Sequence, residues 1–170
     1  DWAKNVFVLV PLVFWLAGEG RGAQPEQIVE QLWHVALTVI AFSMAGSGFY
    51  AVNDALDFQE DRKHPTKRRR PVASGAVTPQ FAITMGVALV IGSIAVAWCV
   101  RPAVLAVIGT YIALQVAYNA KLKRVRLLDV LTVASGFVLR AIAGALALGI
   151  AVSTWLVVVV FALTLFLGFV

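Results

Sequence analysis

Residues 53–62 read Asn-Asp-Ala-Leu-Asp-Phe-Gln-Glu-Asp-Arg and follow directly on a long apolar stretch. Asn53, Asp57 and Asp61 are spaced at i, i+4 and i+8, so a helix would direct all three side chains toward one spot. Asp54 lies one turn from Asp57 and widens this acidic stripe. Carboxylates packed this closely repel one another, and they are costly next to hydrocarbon. The stretch therefore predicts a charged site at the end of a membrane helix.

The acidic stripe, which comprises Asn53, Asp54, Asp57 and Asp61, has the composition of a divalent-cation site. Hard oxygen ligands beside a carboxamide suit Mg²⁺, which binds few carboxylates and keeps positions for water and substrate phosphate. We therefore expect a site for Mg²⁺ and pyrophosphate at a membrane surface. The alternative is a solvated acidic helix end that the following basic residues neutralise, but such an end does not require this spacing.

The composition of the whole chain predicts an all-α, polytopic membrane bundle. Of its 170 residues, 61% are hydrophobic, and its mean hydropathy is +0.87. A soluble domain of this size is excluded, because the apolar runs approach the length that a bilayer requires. The predicted membrane helices cover residues 4–17, 31–51, 80–100, 103–119, 129–149 and 153–170. Both ends lie close to or within apolar runs, so we expect a single membrane domain, residues 1–170, that belongs to a larger one.

Basic residues are concentrated in the two loops that follow the second and fourth predicted helices. Under the positive-inside rule both loops are cytoplasmic, together with Lys4. Anionic headgroups also attract basic loops, so charge alone identifies no function. A nucleic-acid partner is not expected, since a short membrane loop offers neither a binding domain nor interleaved aromatic residues. The basic residues are Arg62, Lys63, Lys67, Arg68, Arg69 and Arg70 in the first loop, and Lys121, Lys123, Arg124 and Arg126 in the second.

The first loop, residues 64–79, reads HPTKRRRPVASGAVTP. Its prolines and its Ser-Gly pair disfavour a helix, and Thr78 is expected to cap the helix that follows. Lys67, Arg68 and Arg70 would face the acidic stripe and could close over a polyanion. His64 either binds phosphate or caps the turn, and the sequence leaves both roles open.

The second loop, from Tyr118 to Asp129, has four cations and one carboxylate. This composition favours a direct grip on phosphate by Lys121, Lys123 and Arg124 over a second metal–diphosphate site. Asp129 is expected to complete the shell of the metal, with capping of the fifth helix as the alternative.

Arg140 lies deep in the fifth apolar segment, about 16 Å along the helix from Asp129. A buried membrane arginine usually faces an aqueous cavity or a partner group. Gly136 and Gly144 share its face and would allow close helix packing. Contact with a substrate and a structural role stay equally open for this residue.

The acidic stripe and the first loop together resemble the UbiA superfamily of intramembrane prenyltransferases. The resemblance extends from Trp2 to Gly144. It implies about nine membrane helices, so that this chain would be roughly the N-terminal two thirds of the domain. The motifs that carry it are Asn53-Asp54-x-x-Asp57-x-x-x-Asp61 and Arg70-Pro71-x-x-Ser74-Gly75.

Within the superfamily the chain is similar to the branch of decaprenyl-phosphate phosphoribosyltransferases. The similarity lies in the HPTK run at residues 64–67 and in the loop with Tyr118, Lys123, Arg124 and Asp129. Members that use prenyl pyrophosphates usually carry a second acidic cluster in that loop. Here Asp129 alone remains among cations, which argues against two metal–diphosphate sites.

The resemblance implies an enzyme of the bacterial plasma membrane whose active site faces the cytoplasm. It would transfer a 5-phosphoribosyl group from phosphoribosyl pyrophosphate to a polyprenyl (decaprenyl) phosphate and release pyrophosphate. The reaction would require Mg²⁺ and supply arabinan precursors for the actinobacterial cell wall (arabinogalactan). Asn53, Asp54, Asp57 and Asp61 would be the catalytic residues.

The substrate-binding residues are implied in two groups. Lys67, Arg68 and Arg70 would hold the donor. Lys4, Lys121, Lys123 and Arg124 would hold the lipid phosphate or the ribose 5-phosphate. Tyr118, His64 and Arg140 complete the expected substrate-binding set, and the prenyl tail would lie between helices, open to the bilayer. A homo-oligomer is compatible with the sequence.

Two other functions remain as alternatives. A UbiA-type prenyltransferase would use the same acidic stripe to ionise a prenyl diphosphate and alkylate an aromatic ring or a lipid alcohol. A transporter or channel would bind a cation through its acids, but such acids are expected within the membrane span and at broken helices.

Overall fold

The computed structural model describes residues 2–120 and 125–169, and these ranges are all-helical with no β-strand. The prediction of an all-α fold is therefore confirmed. The described α-helices are α1 (Val6–Ala17), α2 (Pro25–Leu56), α3 (Phe58–Asp61), α4 (Pro79–Trp98), α5 (Pro102–Ala120), α6 (Arg126–Leu148) and α7 (Thr154–Phe169).

Each of the six predicted membrane helices corresponds to a helix in the structure, and most bounds agree within three residues. The exception is α2, which begins six residues before and ends five residues after the predicted range 31–51. Hydropathy identifies the part of a helix that suits hydrocarbon, whereas α2 continues into polar sequence at both ends. At its start Pro25 is the first helical residue, and the backbone N–H of Gln24 donates to Oε1 of Gln27 at 3.2 Å.

Four of the described helices, α2, α4, α5 and α6, are long and apolar enough to cross a membrane, whereas α1 and α7 are apolar but shorter. The chain is therefore an integral membrane protein. The single-domain prediction for residues 1–170, as part of a larger domain, stays a prediction.

The four long helices surround a common interior. α2 packs most extensively against α4, α4 and α6 both contact α5, and α6 also contacts α2. The shorter helices α1 and α7 both lie against α6. At the α1–α6 contact a side chain on Gly144 would collide with the backbone carbonyl of Val8, so the predicted role of this glycine in close packing is confirmed.

The connection from α3 to α4 is an ordered loop, as predicted. It contains a short 3-10 turn, Lys67–Arg69, and Gly75 adopts the left-handed conformation with φ +85°. Thr78 caps α4 by accepting a hydrogen bond from the backbone N–H of Phe81 at 3.3 Å, and Pro79 is the first residue of the helix. This loop folds back over the end of α2 and brings its cations to the acidic stripe.

Candidate active site

A polar cavity of about 400 Å³ opens among α2, α5, α6 and the loop after α3. We call it the acidic cavity, because the end of α2 lines it with Asn53, Asp54 and Asp57. Lys67 and Arg70 reach it from the loop, and Lys4 reaches it from the N-terminal turn. Carboxylates and cations that are distant in sequence thus share one space inside a membrane bundle.

The acidic stripe divides at Asp57. α2 ends at Leu56 and the single turn of α3 begins at Phe58, so the stripe does not lie on one continuous helix, although Asp61 and Asp54 both contact Arg70. Asp61 is 4% exposed and is not among the residues that line the acidic cavity. Its Oδ2 lies 3.0 Å from Nη1 of Arg70.

Arg70 joins the two halves of the divided stripe. The same Nη1 atom donates to Oδ1 of Asp54 at 2.9 Å and to Oδ2 of Asp61 at 3.0 Å. One guanidinium therefore offsets the repulsion between two carboxylates in α2 and α3. It also fixes the loop after α3 against the end of α2.

The residues of the acidic cavity fit a Mg²⁺ site in which substrate phosphates supply some of the ligands. Within residues 2–120 and 125–169 no group of three or more His, Cys, Asp or Glu side chains is arranged to hold a metal ion. Mg²⁺ is, however, usually bound through one or two carboxylates together with water and substrate phosphates. Asp54 and Asp57, with the carboxamide of Asn53, supply such a partial set in the acidic cavity.

Direct metal binding by Asp61 and Asp129 stays a prediction. Asp61 is buried against Arg70. Asp129 accepts a hydrogen bond from the Tyr118 hydroxyl at 3.0 Å, and Tyr118 lines the acidic cavity. The alternative that Asp129 caps its helix is wrong, because α6 begins at Arg126, with Val125 at the cap position, and Asp129 lies within the first turn.

The basic residues of the first loop separate into two groups. Lys67 and Arg70 line the acidic cavity, whereas Arg68 is exposed and is not among the residues lining it. His64 caps the 3-10 turn: its Nδ1 lies 3.3 Å from the backbone nitrogen of Thr66 and 3.4 Å from that of Lys67. The structure thus shows a capping role for His64, and phosphate binding by this residue stays a prediction. The predicted phosphate ligands Lys121, Lys123 and Arg124 lie outside the described residues.

Arg140 forms the deep end of the acidic cavity. The residue is 7% exposed, yet its guanidinium lines the cavity. Nε donates to Oδ1 of Asn5 at 2.8 Å, Nη1 to the carbonyl of Gly136 at 2.8 Å, and Nη2 to the Tyr111 hydroxyl at 3.2 Å. Arg140 therefore links α6 to α5 and to the N-terminal turn, and it also faces the cavity.

Several cavity residues were missed by sequence reasoning. They include Gly46, Tyr50, Tyr111 and Gln115. A signal was available in α2, where Ser43, Ser47, Tyr50 and Asp54 are spaced by four, three and four residues and so follow one face of the helix. Gly46 lies on the same face, three residues after Ser43.

Comparison with known proteins gives a consistent result. The sequence profile of the UbiA prenyltransferase family matches residues 6–170. The chain is 40% identical over 159 residues to the decaprenyl-phosphate phosphoribosyltransferase of Mycobacterium tuberculosis, an alignment that covers 94% of this chain and 51% of that protein. It is 41% identical over 162 residues to the enzyme of the same name from Corynebacterium glutamicum, covering 94% and 47%. The chain thus spans about half the length of the curated relatives it matches.

A solved structure agrees with the fold. A chain from a study of digeranylgeranylglyceryl phosphate synthase in membranes superposes with a TM-score of 0.64 at 15% sequence identity. The superposition covers 96% of the present chain and 52% of the other. At this identity the likeness concerns the arrangement of the helices alone.

Proposed function

The chain belongs to the UbiA prenyltransferase family, and on that premise we propose that the protein transfers a 5-phosphoribosyl group from phosphoribosyl pyrophosphate to a polyprenyl phosphate. Pyrophosphate is released. The observation that carries the proposal is the acidic cavity, where carboxylates of α2 and cations of the following loop line about 400 Å³ inside a membrane bundle. The relatives named decaprenyl-phosphate phosphoribosyltransferase support decaprenyl phosphate as the acceptor. We further propose that the product supplies the cell-wall arabinan of actinobacteria.

The proposed reaction makes few demands on proton transfer. As the bond between C1 of the ribose and pyrophosphate breaks, C1 gains oxocarbenium character and an oxygen of the lipid phosphate attacks it. No general base is needed, because a phosphate oxygen is already anionic. The task of the chain is therefore to bind two anionic substrates close together and to stabilise the charge that develops on the leaving group.

Named residues of the acidic cavity suit these tasks. Lys67 and Arg70 would bind the donor phosphates, with Arg70 offering a planar fork and Lys67 a point charge. Asn53, Asp54 and Asp57 would hold Mg²⁺. When bound there, Mg²⁺ would neutralise negative charge that grows on the departing pyrophosphate.

The lipid acceptor requires an apolar space beside the polar one. An apolar groove of about 350 Å³ lies among α5, α6 and α7, with Leu139 and Phe161 in its walls. Leu114 lines both this groove and the acidic cavity. We assign the first part of the prenyl tail to this groove, which would leave its phosphate at the acidic cavity.

The acidic cavity is proposed to open toward the cytoplasm. The loop that supplies Lys67 and Arg70 is strongly basic, and the N-terminal turn that supplies Lys4 lies at the same end of the bundle. The positive-inside rule assigns such loops to the cytoplasm. Mg²⁺ and activated phosphates are available there.

The proposal is tested with the full-length protein in detergent, supplied with Mg²⁺, decaprenyl phosphate and phosphoribosyl pyrophosphate labelled in the ribose. We expect the label to enter the lipid fraction. A chelator should stop the transfer, and added Mg²⁺ should restore it. Transfer that continues in the chelator would contradict the Mg²⁺ requirement while leaving the choice of substrates intact.

Two other results would replace the proposal. Activity only with a prenyl diphosphate and an aromatic or lipid-alcohol acceptor would make the protein a prenyltransferase of the same family. Inactivity with both substrate pairs, accompanied by cation flux in proteoliposomes, would make it a transporter.

A further inference from the structure

A second polar cavity, of about 440 Å³, adjoins the acidic cavity. It lies between α2 and the N-terminal turn Trp2–Asn5, and we call it the inner cavity. The residues that line both cavities, and so form the boundary between them, are Lys4, Gly46, Tyr50, Asp54, Arg70 and Arg140. On α2 the inner cavity reaches Phe42, almost four turns from the end of the helix at Leu56.

No carboxylate of the described residues pairs with the charge of Arg140. Within the described ranges its hydrogen-bond acceptors are neutral oxygens: a carboxamide, a carbonyl and a hydroxyl. Its remaining contacts are the rings of Phe42, Tyr111 and Phe137, whose centres lie 5.0–5.8 Å from Cζ. An arginine stays charged even when it is buried. A charge that is removed from water and lacks a counter-ion attracts an anion to the cavity that it faces.

Neighbouring polar groups are oriented by Arg140. Asn5 is 4% exposed; its Oδ1 accepts from Nε of Arg140, and its Nδ2 donates to Oγ of Ser43 at 2.7 Å. Because Ser43 accepts through its oxygen, the hydroxyl proton of Ser43 can be donated to another group. Ser47 presents a second hydroxyl one turn along the same face of α2.

The inner cavity is also short of acids. Asp54 is the one carboxylate among the described residues that line it, and Asp54 is paired with Arg70 at 2.9 Å. Lys4, Arg70 and Arg140 line it as well. The charge balance of this lining is therefore positive, with three cations against one carboxylate.

We propose that the inner cavity is a binding site for a phosphomonoester, held by the charges of Arg140 and Lys4 and by the hydroxyls of Ser43 and Ser47. This inference rests on the proposed function, in which both substrates carry such a group: the 5-phosphate of the donor and the terminal phosphate of the lipid. The pyrophosphate and the phosphomonoester would then occupy separate, adjoining cavities. If the donor supplies this group, a prenyl diphosphate in its place would leave Arg140 without an anion.

Binding is measured as the rise in melting temperature of the full-length protein in detergent, which does not depend on turnover. The probes are ribose 5-phosphate for the donor, farnesyl phosphate for the acceptor, and Mg²⁺–pyrophosphate as the reference ligand of the acidic cavity. We expect Arg140→Gln to weaken the binding of one phosphomonoester by on the order of tenfold or more. Binding of Mg²⁺–pyrophosphate should change less than about threefold. The probe that responds identifies which substrate supplies the group.

A second variant and a control keep the result interpretable. Ser47 is exposed, so Ser47→Leu should fold normally and fill the inner cavity, with the same selective loss as Arg140→Gln. If Arg140→Gln does not fold, the Ser47→Leu variant tests the proposal in its place. Lys63→Gln removes an exposed charge that lines neither cavity and should bind every probe like the parent protein.

The proposal is overturned if the parent protein binds neither phosphomonoester, or if the folded variants bind both as the parent does. Equal weakening of pyrophosphate would also overturn it, since the effect would not be confined to the inner cavity. Failure of the proposed function is distinguishable, because it would appear as binding without transfer of label to the lipid.

Discussion

Gly48 and Gly86 meet backbone to backbone where α2 crosses α4. A Cβ atom added to Gly48 would lie 2.6 Å from the carbonyl oxygen of Gly86, and one added to Gly86 would lie 2.7 Å from the carbonyl oxygen of Gly48. Neither oxygen belongs to a flexible side chain that could move aside. The close packing of α2 against α4 therefore depends on two glycines, as small residues commonly allow in membranes.

Replacing either glycine should force the two helices apart. We expect Gly86→Ala to lower the free energy of unfolding by about 1–3 kcal/mol, the usual cost of overpacking. Gly109→Ala in α5 is the matched control, because no described residue packs within 4 Å of its added Cβ, and its effect on the free energy of unfolding should stay within about 1 kcal/mol. Thermal unfolding in detergent compares the two variants. Equal stability would show that α2 and α4 do not approach this closely in the protein.

The bridge made by Arg70 should contribute to stability independently of catalysis. Arg70→Gln leaves the carboxylate of Asp61, whose side chain is 6% exposed, without its cation. The side chain of Arg70 is 37% exposed, so solvent screens the ion pair. We therefore expect the free energy of unfolding to fall by about 1–2 kcal/mol. Adding Asp61→Asn should restore part of the lost stability, because it removes the unpaired negative charge. Arg69→Gln is the control, since Arg69 is exposed and its backbone N–H, not its side chain, donates to the carbonyl of Thr66. A double variant no more stable than Arg70→Gln would contradict the bridge.

Asp57 should matter for turnover and not for folding. It lines the acidic cavity at the break between α2 and α3. Asp57→Asn keeps the shape of the side chain but removes its charge, so we expect Mg²⁺-dependent transfer to fall by at least about a hundredfold with an unchanged melting temperature. Glu60→Gln, an exposed acid on α3 that does not line the cavity, should retain activity. A folded and active Asp57→Asn protein would refute the metal site.

Gly46 should be required for the volume of the cavity. Among the described residues, the Tyr111 hydroxyl alone packs near its added Cβ, at the ordinary contact distance of 3.7 Å, so Gly46→Ala should fold and remain active. Gly46→Leu would extend into the space that both cavities share. We expect it to lower kcat/KM by about ten- to a hundredfold, with little change in melting temperature. If Gly46→Leu leaves kcat/KM unchanged, the substrates do not bind in the space that the two cavities share.

The membrane helices were predictable because a bilayer imposes a strong and simple condition on sequence. Runs of apolar residues located all six apolar helices. Hydropathy could not locate the ends of α2, since a helix does not have to stop where the hydrocarbon stops. Local capping decides the start of such a helix, and the Gln24–Gln27 pair is a weak signal in sequence.

The site was predictable in its charges and less so in its contacts. Spacing brought Asn53, Asp54 and Asp57 to one cavity, but it could not reveal that α2 ends before Asp57 or that Arg70 holds Asp61. Such pairings depend on how a loop folds back over a helix. The partners of Arg140 were beyond prediction for the same reason, because Asn5 is 135 residues away in the chain.

The length of α2 has a consequence for the lipid around the protein. Its 32 residues extend for about 48 Å at 1.5 Å per residue, whereas the hydrocarbon of a typical bilayer is about 30 Å thick. The helix must therefore tilt or project from the membrane, and a thicker or thinner bilayer changes how far it projects. Because Asp54 and Asp57 lie at its end, the thickness of the host membrane would set the depth at which a water-soluble and a lipid-soluble reactant meet.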